Sequence, residues 1–290
     1  MTLNTRPLQI AIALCALLVS AQASAQFSSL DPQQVSTSAG VNLSVVIVDS
    51  ECQDALTSMS YKCGDLDSVG RADLYAEIGF VDFSLYGELP VFFTLAGSPS
   101  EATIGNLETG VAHRWSMDGP MSLVSHVGLV IPTSSKSKRK SAVAFAGSTG
   151  VIRNLYINST PELWALRVAT SPRLDFGALF MQGDFGLDFL FPNSQSDEVG
   201  LRTSIGAGVN AAIATVTAEI ANAGLITAGA TFEQTFSIGV DLNTPVIQPR
   251  FTFTPGFTPN TADNSPLTLG TAHAFQPTAH HTHNPAPPVT

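Results

Sequence analysis

Across residues 199–254 apolar and polar positions alternate with hardly a lapse, and the phase shifts where turn-forming residues fall. Val199, Leu201, Ile205, Ala207 and Val209 share one parity, opposite Gly200, Arg202, Ser204, Gly206, Gly208 and Asn210. Past Asn210-Ala211 the apolar set moves to Ala212, Ala214, Val216, Ala218 and Ile220, opposite Thr215, Thr217 and Glu219. Phe232, Phe236, Ile238, Val240 and Leu242 then oppose Thr231, Glu233, Thr235, Ser237 and Asp241. Ile247, Phe251 and Phe253 oppose Gln248, Arg250, Thr252 and Thr254. A period of two belongs to strands, and phase-shifted runs of this length predict membrane-spanning β-hairpins.

The same grammar extends upstream. Val41, Leu43, Val45 and Ile47 begin a first strand; Leu74, Ala76, Ile78 and Phe80 a second; and, after Val81-Asp82, Phe83, Leu85, Leu89 and Val91 a third. Residues 104–115 and 121–131 form a hairpin about Asp118-Gly119, a dipeptide suited to tight turns. Trp164, Leu166 and Val168 follow, then Leu174, Phe176 and Phe180 after Ser171-Pro172, then Phe185, Leu187, Phe189 and Phe191 past Gly183-Asp184. Residues 133–161, opening on Lys136, Lys138, Arg139 and Lys140, show no alternation and read as a long loop.

The predicted fold is all-β: an antiparallel transmembrane β-barrel of about 12 strands over 41–254. Closure is expected because only a closed sheet satisfies every backbone hydrogen bond in lipid. Residues 26–40 form a lead-in, and 255–290, rich in Pro, Thr, Asn and His, read as a disordered tail.

Composition agrees. Charged residues are only 12% of the chain, mean hydropathy is +0.22, and Gly numbers 23, so something other than water faces much of the surface. No run of about 18 uncharged apolar residues follows the N-terminus, which argues against helical spans. With 23 acidic against 13 basic residues, nucleic acid is not an expected partner.

At the N-terminus, Arg6, the apolar stretch 8–19 and Ala23-Ser24-Ala25 fit a secretory signal peptide over 1–25. Leu14 before Cys15 does not suit a lipoprotein site. An uncleaved anchor is the alternative, though the apolar stretch is short for one. Cleavage leaves Cys52 and Cys63, ten residues apart, for which a disulfide is the default in an oxidising compartment.

Three segments resemble the outer-membrane barrel family of transporters assigned to the MetA pathway of phenol degradation. They are Leu74-Tyr75-Ala76-Glu77-Ile78-Gly79-Phe80-Val81-Asp82-Phe83-Ser84-Leu85, Asn106-Leu107-Glu108-Thr109-Gly110 and Gly128-Leu129-Val130-Ile131-Pro132-Thr133. In the last, Ser134 stands where the family has Gly. The resemblance covers roughly residues 74–253 and implies a bacterial outer-membrane location and a channel or uptake role. It implies outer-membrane lipids and the barrel-assembly machinery as partners, with small solutes as cargo. Barrels of this kind end on an aromatic residue, whereas Phe253 is followed by a tail.

If the apolar face meets lipid, the lumen receives Glu77, Glu88, Glu108, Asp175, Asp188, Glu219, Glu233 and Asp241, with Arg114, Arg167, Arg202 and Arg250. Such groups either form a weakly cation-preferring pore or pair across strands and fill a narrow barrel. Ser125-His126 is the one adjacent nucleophile and base, with no G-x-S-x-G around it, so no enzyme is expected. His280, His281 and His283 lie in a proline-rich context without fixed geometry, so no metal and no cofactor are expected. Trp115, Trp164, Tyr75, Tyr86 and Tyr156 are candidates for interfacial girdles. The readings are a passive channel, a non-conducting barrel presenting its loops, and a secreted β-sandwich.

Overall fold

The alternating segments assemble into one antiparallel sheet in the structure, a computed structural model. It describes residues 37–47, 52–53, 60–61, 66–97, 100–148, 151–193, 196–211, 213–227, 231–242, 250–253, 256–257 and 273–275. In chain order the strands are β1 (Ser38–Ile47), β2 (Cys52–Gln53), β3 (Ser60–Tyr61), β4 (Leu66–Gly79), β5 (Phe83–Gly97), β6 (Ala102–Ile104), β7 (Leu107–Trp115) and β8 (Met121–Ile131). They continue as β9 (Leu163–Phe176), β10 (Leu179–Pro192), β11 (Glu198–Asn210), β12 (Ala214–Leu225), β13 (Thr231–Leu242), β14 (Arg250–Phe253), β15 (Gly256–Phe257) and β16 (His273–Phe275). Two helices, α1 (Lys138–Ser148) and α2 (Leu155–Ser159), lie between β8 and β9, with a 3-10 turn at Ile152–Asn154 just before α2.

The hydrogen-bonded path runs β14-β13-β12-β11-β10-β9-β8-β7-β5-β4-β1-β16, with β6 and β15 alongside β5 and β13. The sheet curls so that β14 lies near β16. The expected closure is approached there, but no ladder joins the two among the described residues. Connections at one end are 80–82, 116–120, 177–178, 211–213 and 243–249, most of them short. At the other end lie 48–65, 98–101, 132–162, 193–197 and 226–230.

Burial is inverted relative to a water-soluble protein. Arg71, Glu108, Arg167, Asp188, Arg202, Glu219 and Asp241 are buried, while Leu85, Val127, Leu166, Phe185, Ile205 and Ile220 are exposed. Along β10 the change is residue by residue: Phe180, Gln182, Asp184, Gly186, Asp188 and Leu190 are buried, and Met181, Phe185, Leu187 and Phe191 are exposed. Period-two side-chain direction on a curled sheet produces this pattern when the outside meets hydrocarbon and the inside is polar. A β-sandwich would bury the apolar parity between two sheets, so that reading is set aside. No helix among the described residues is long and apolar enough to cross a membrane.

Three details depart from expectation. First, Ser171-Pro172 and Gly183-Asp184 are not turns: β9 and β10 run through them, and the chain reverses at Gly177-Ala178, where Gly177 has φ 74°. Glycine at the first central position suits a two-residue hairpin of this hand. Pro172 accounts for the false signal, since it has no N–H to donate, and the β9–β10 ladder passes from Gln182 opposite Arg173 to Phe185 opposite Thr170. The reversal also moves Phe180 from the expected lipid face to the lumen, where the Arg173 guanidinium lies 4.0 Å above its ring.

Second, the expected strand 104–115 is broken at Gly105-Asn106 into β6 and β7. Third, 133–161 is not an open loop. Its helices fold inward, and Ser141 through Ser148 are buried without exception. The run Ser-Ala-Val-Ala-Phe-Ala carries three alanines, the strongest helix former, and no charged face, the composition of a helix enclosed on all sides.

Several expectations fall on residues left undescribed. The signal peptide and most of the lead-in lie outside the described residues. So does Cys63, and with it the expected bridge; β2 pairs with β3 so that Cys52 faces Tyr61. Within 255–290, β15 pairs with β13 and β16 with β1, and the remainder, including His280, His281 and His283, lies outside the described residues.

Candidate functional site

Inside the curled sheet lies a belt of ionic side chains drawn from β4, β5, β7, β9, β10 and β11. Its centre is Arg167, which is fully buried. Arg167 Nη1 donates to the Glu108 carboxylate, and Nε donates to Asp188 Oδ1 at 3.1 Å. Arg202 donates through Nε to Asp188 Oδ1 at 3.1 Å, with Asp188 Oδ2 2.9 Å away, and its Nη1 lies 3.8 Å from Asp184. Ser171 Oγ donates to Asp184 at 2.7 Å, and Tyr86 Oη donates to Glu108 Oε1 at 2.9 Å. On the other flank Arg71 Nε donates to Asp73 Oδ1 at 2.7 Å, and Arg71 Nη2 lies 3.7 Å from Glu88 Oε1.

Glycines open the corridors these pairs need. Gly128 is the register partner of both Gly110 and Arg167, so Glu108 on β7 meets Arg167 on β9 across a strand position with no side chain. A Cβ at Gly128 would stand 2.5 Å from Tyr86 Oη and 2.9 Å from Glu108. Gly186 does the same for Arg202, its register partner, whose Nη2 lies 2.6 Å from where a Cβ would be. Alternating large and small inward residues is how a narrow barrel accommodates its contents.

Glu88 and Glu108 face each other directly across β5 and β7. Like charges in that register repel, and the nearby Arg71 and Arg167 offset the repulsion.

Above this belt, toward the 132–162 end, the lumen is apolar. Val69, Phe92, Val130, Leu163, Leu190 and Leu225 surround Ala142, Val143, Ala144, Phe145 and Ala146 of α1, together with Ile157 of α2. Gly147 lies so close to Phe92 that a Cβ would be 2.4 Å from the ring.

The neck of this inward segment is pinned by Asn106, which the break between β6 and β7 turns inward. Its Nδ2 donates to the carbonyls of Ile157 at 2.6 Å and Thr160 at 2.8 Å. Its Oδ1 accepts from Thr133 N at 3.1 Å and Ser134 N at 3.0 Å. One fully buried amide therefore ties both ends of the plug together. At the tip, Arg167 reaches from the wall: Nη1 donates to Asn154 Oδ1 at 2.8 Å and Nη2 to the Arg153 carbonyl at 3.1 Å.

Of the lumen residues read from sequence, Glu88, Glu108, Arg167, Asp188 and Arg202 come together. Glu219 and Asp241 are buried on β12 and β13, and Glu77 and Glu233 are half-buried. Asp175 pairs with Arg173 at 2.8 Å, and Arg114 is exposed at the short-turn rim. Arg250 is opposite Asp241 in register, and its side chain is outside the described set. Sequence reasoning missed Arg71, Asp184 and the whole plug. Arg71 shares the parity of Asp73 and would have followed from extending that strand upstream.

Ser125 and His126 point to opposite faces of β8. Ser125 Oγ accepts from Trp115 Nε1 at 3.0 Å, whereas His126 is buried edge-on to Tyr86. They cannot act on each other as nucleophile and base. Among the described residues no three His, Cys, Asp or Glu side chains are disposed to hold a metal. Trp115 and Trp164 are exposed near opposite ends of the barrel, as girdle residues would be. Tyr86 faces the lumen instead.

A solved outer-membrane channel shares this fold. It is the COG4313 outer membrane channel from Pseudomonas putida F1, superimposed with a TM-score of 0.53 at 10% identity over 88% of this chain and 98% of that one. LpxR from Salmonella typhimurium is a looser likeness, with a TM-score of 0.37 at 8% identity over 83% of this chain and 100% of that one. No protein-family model matches the chain, and no curated protein matches it.

Proposed function

We propose that the protein resides in the bacterial outer membrane and passes small solutes passively through a lumen held closed at rest by the 132–162 segment. The observation that carries this reading is the inverted barrel: apolar side chains outside, an ionic belt inside, and a separate inward-folded segment across the lumen. A barrel serving only to present loops needs no distinct closing element. The fold shared with an outer-membrane channel supports the same reading. The motif-level resemblance to the MetA-pathway family supports an uptake role and assigns no solute. In this reading the surrounding lipid and the barrel-assembly machinery are the partners, and no reaction, metal or cofactor is involved.

The test is current through planar bilayers containing the purified full chain, after an unheated-versus-boiled gel shift has established a folded barrel. Brief openings from a closed baseline are expected. A folded barrel that stays silent in the wild type and after the plug tip is shortened would sink the channel reading and leave the loop-presenting barrel.

A further inference from the structure

We infer that residues 151–154, the tip of the plug, form a gate latched to the barrel wall by Arg167, while the rest of the plug is a fixed support. The inference rests on the channel reading above and adds the moving part and its catch.

The plug is held in three different ways. Its first limb, α1, is fixed by apolar burial against Val69, Phe92 and Val130, with Gly147 packed on Phe92 too closely to admit a side chain. Its neck is fixed by the four hydrogen bonds of Asn106 and by Asn106 N donating to Asn158 O at 3.1 Å. Between these anchors the 3-10 turn crosses the lumen to reach β12 and β13. It is compact in itself, since Val151 N donates to Ser148 O at 3.0 Å and Asn154 N to Val151 O at 2.9 Å.

Among the described side chains, polar contacts tie the tip to the wall. Arg167 donates to Asn154 Oδ1 and to the Arg153 carbonyl, and Asn154 Nδ2 donates to Glu88 Oε1 at the long distance of 3.5 Å.

The electrostatics of Arg167 make such a catch reversible. Its charge is already balanced by wall residues, Glu108 and Asp188, so releasing the tip leaves Arg167 with both of its counter-charges. A buried cation whose only partners were on the plug would cost several kcal/mol to uncover; this one gives up hydrogen bonds that water can replace. The tip is also not packed tightly against β11 and β12: a small cavity beside it is lined by Arg153, Ile157, Gly200, Arg202, Ala223 and Gly224.

The experiment compares single-channel records of three proteins, each first verified by its gel shift. They are the wild type, Asn154→Ala, and a variant with 151–154 replaced by Gly-Gly. Asn154→Ala is expected to raise open probability at least about tenfold with unitary conductance unchanged, because a latch sets how often the pore opens and not how wide it is. The shortened variant is expected to conduct continuously. If the shortened variant conducts while Asn154→Ala matches the wild type, the latch is wrong and the channel reading survives. If the shortened variant is folded and silent, the channel reading itself fails. A wild type that is open throughout also overturns the latch. Should Asn154→Ala not fold, Asn154→Ser, which keeps a small polar side chain too short to reach Arg167, takes its place with the same expected gain.

Discussion

The two levels of this lumen share the inward parity of β4, β5, β9 and β10, yet they are chemically opposite. At the 132–162 end, inward positions are Val69, Phe92, Val130, Leu163, Leu190 and Leu225; a few residues further along those walls they are Arg71, Glu88, Arg167 and Asp188. The difference follows what lies opposite. Where α1 covers the wall, apolar side chains lose water on folding and stabilise the structure by burial. Where only the thin tip of the plug crosses, charged groups must satisfy one another, and they do so in a chain of shared partners. One level is a core in the ordinary sense; the other is a polar belt held by ion pairs and by hydrogen bonds from Arg167 to the tip.

The comparison breaks most severely at Phe92. It is fully buried and packs against Gly147, so Phe92→Ala removes a close wall contact of α1. A loss of about 3–5 kcal/mol is expected, read as a lower denaturation midpoint of the detergent-held barrel. Because the contact is apolar, the loss should be the same at low and high salt. A neutral result would mean that α1 is not seated on this wall.

The polar level should respond differently. Asp188 is shared by Arg167 and Arg202, so Asp188→Asn leaves two buried guanidinium groups short of a charge. Removing one member of a buried ionic set costs roughly 3 kcal/mol, and here salt should relieve part of the loss if the passage is hydrated. Equal salt responses at Phe92 and Asp188 would erase the distinction between the two levels.

The distinction was partly legible in the chain. Strict alternation in 199–254 led to strands, an apolar exterior and a charged lumen. It lapses at Val45-Val46-Ile47, Val91-Phe92-Phe93, Leu129-Val130-Ile131 and Phe189-Leu190-Phe191. Strands buried on both faces read as continuous apolar runs, and Val46, Phe92, Val130 and Leu190 are the buried, inward members of these triplets. The lapses therefore mark where something covers the lumen, and the covering element is the Ala-rich stretch 141–148. Read alone, that stretch was obscured by the basic run before it. Arg167, Asp188 and Arg202 were reachable from parity, but their convergence was not, because it depends on Gly128 and Gly186 leaving room across intervening strands. Strand periodicity says which face a residue takes and nothing about which neighbours its side chain can pass over.

That role of glycine gives a sharper and smaller test. Gly128→Ala sets a methyl group against Tyr86 Oη and the Glu108 carboxylate, crowding the route by which Glu108 reaches Arg167. Overpacking should cost about 1–3 kcal/mol. Adding Tyr86→Phe, which removes the nearer of the two obstructing atoms, should recover part of it. A double variant no more stable than Gly128→Ala alone would show that the strain lies in the backbone ladder and not in the corridor.

The smallest effect belongs outside the barrel, at the foot of the plug. Glu162 accepts from Lys136 and from Asn193, and the Lys136 hydrogen bond, with a lesser contribution from Asn193, holds its carboxyl below the ordinary value of 4.5. A depressed folded-state pKa means that the contribution to stability is present above the unfolded value and lost as pH falls through the folded one. The pair is solvent-accessible, so solvent and salt screen the interaction. The expected outcome is a slight steepening of the acid limb of the denaturation curve below about pH 4.5 in the wild type, absent in Glu162→Gln, with the two proteins nearly superimposed at neutral pH. If Glu162→Gln instead altered the neutral-pH midpoint as much as Asp188→Asn, the foot of the plug would belong with the ionic belt, and the division between a screened rim and a buried passage would have to be redrawn.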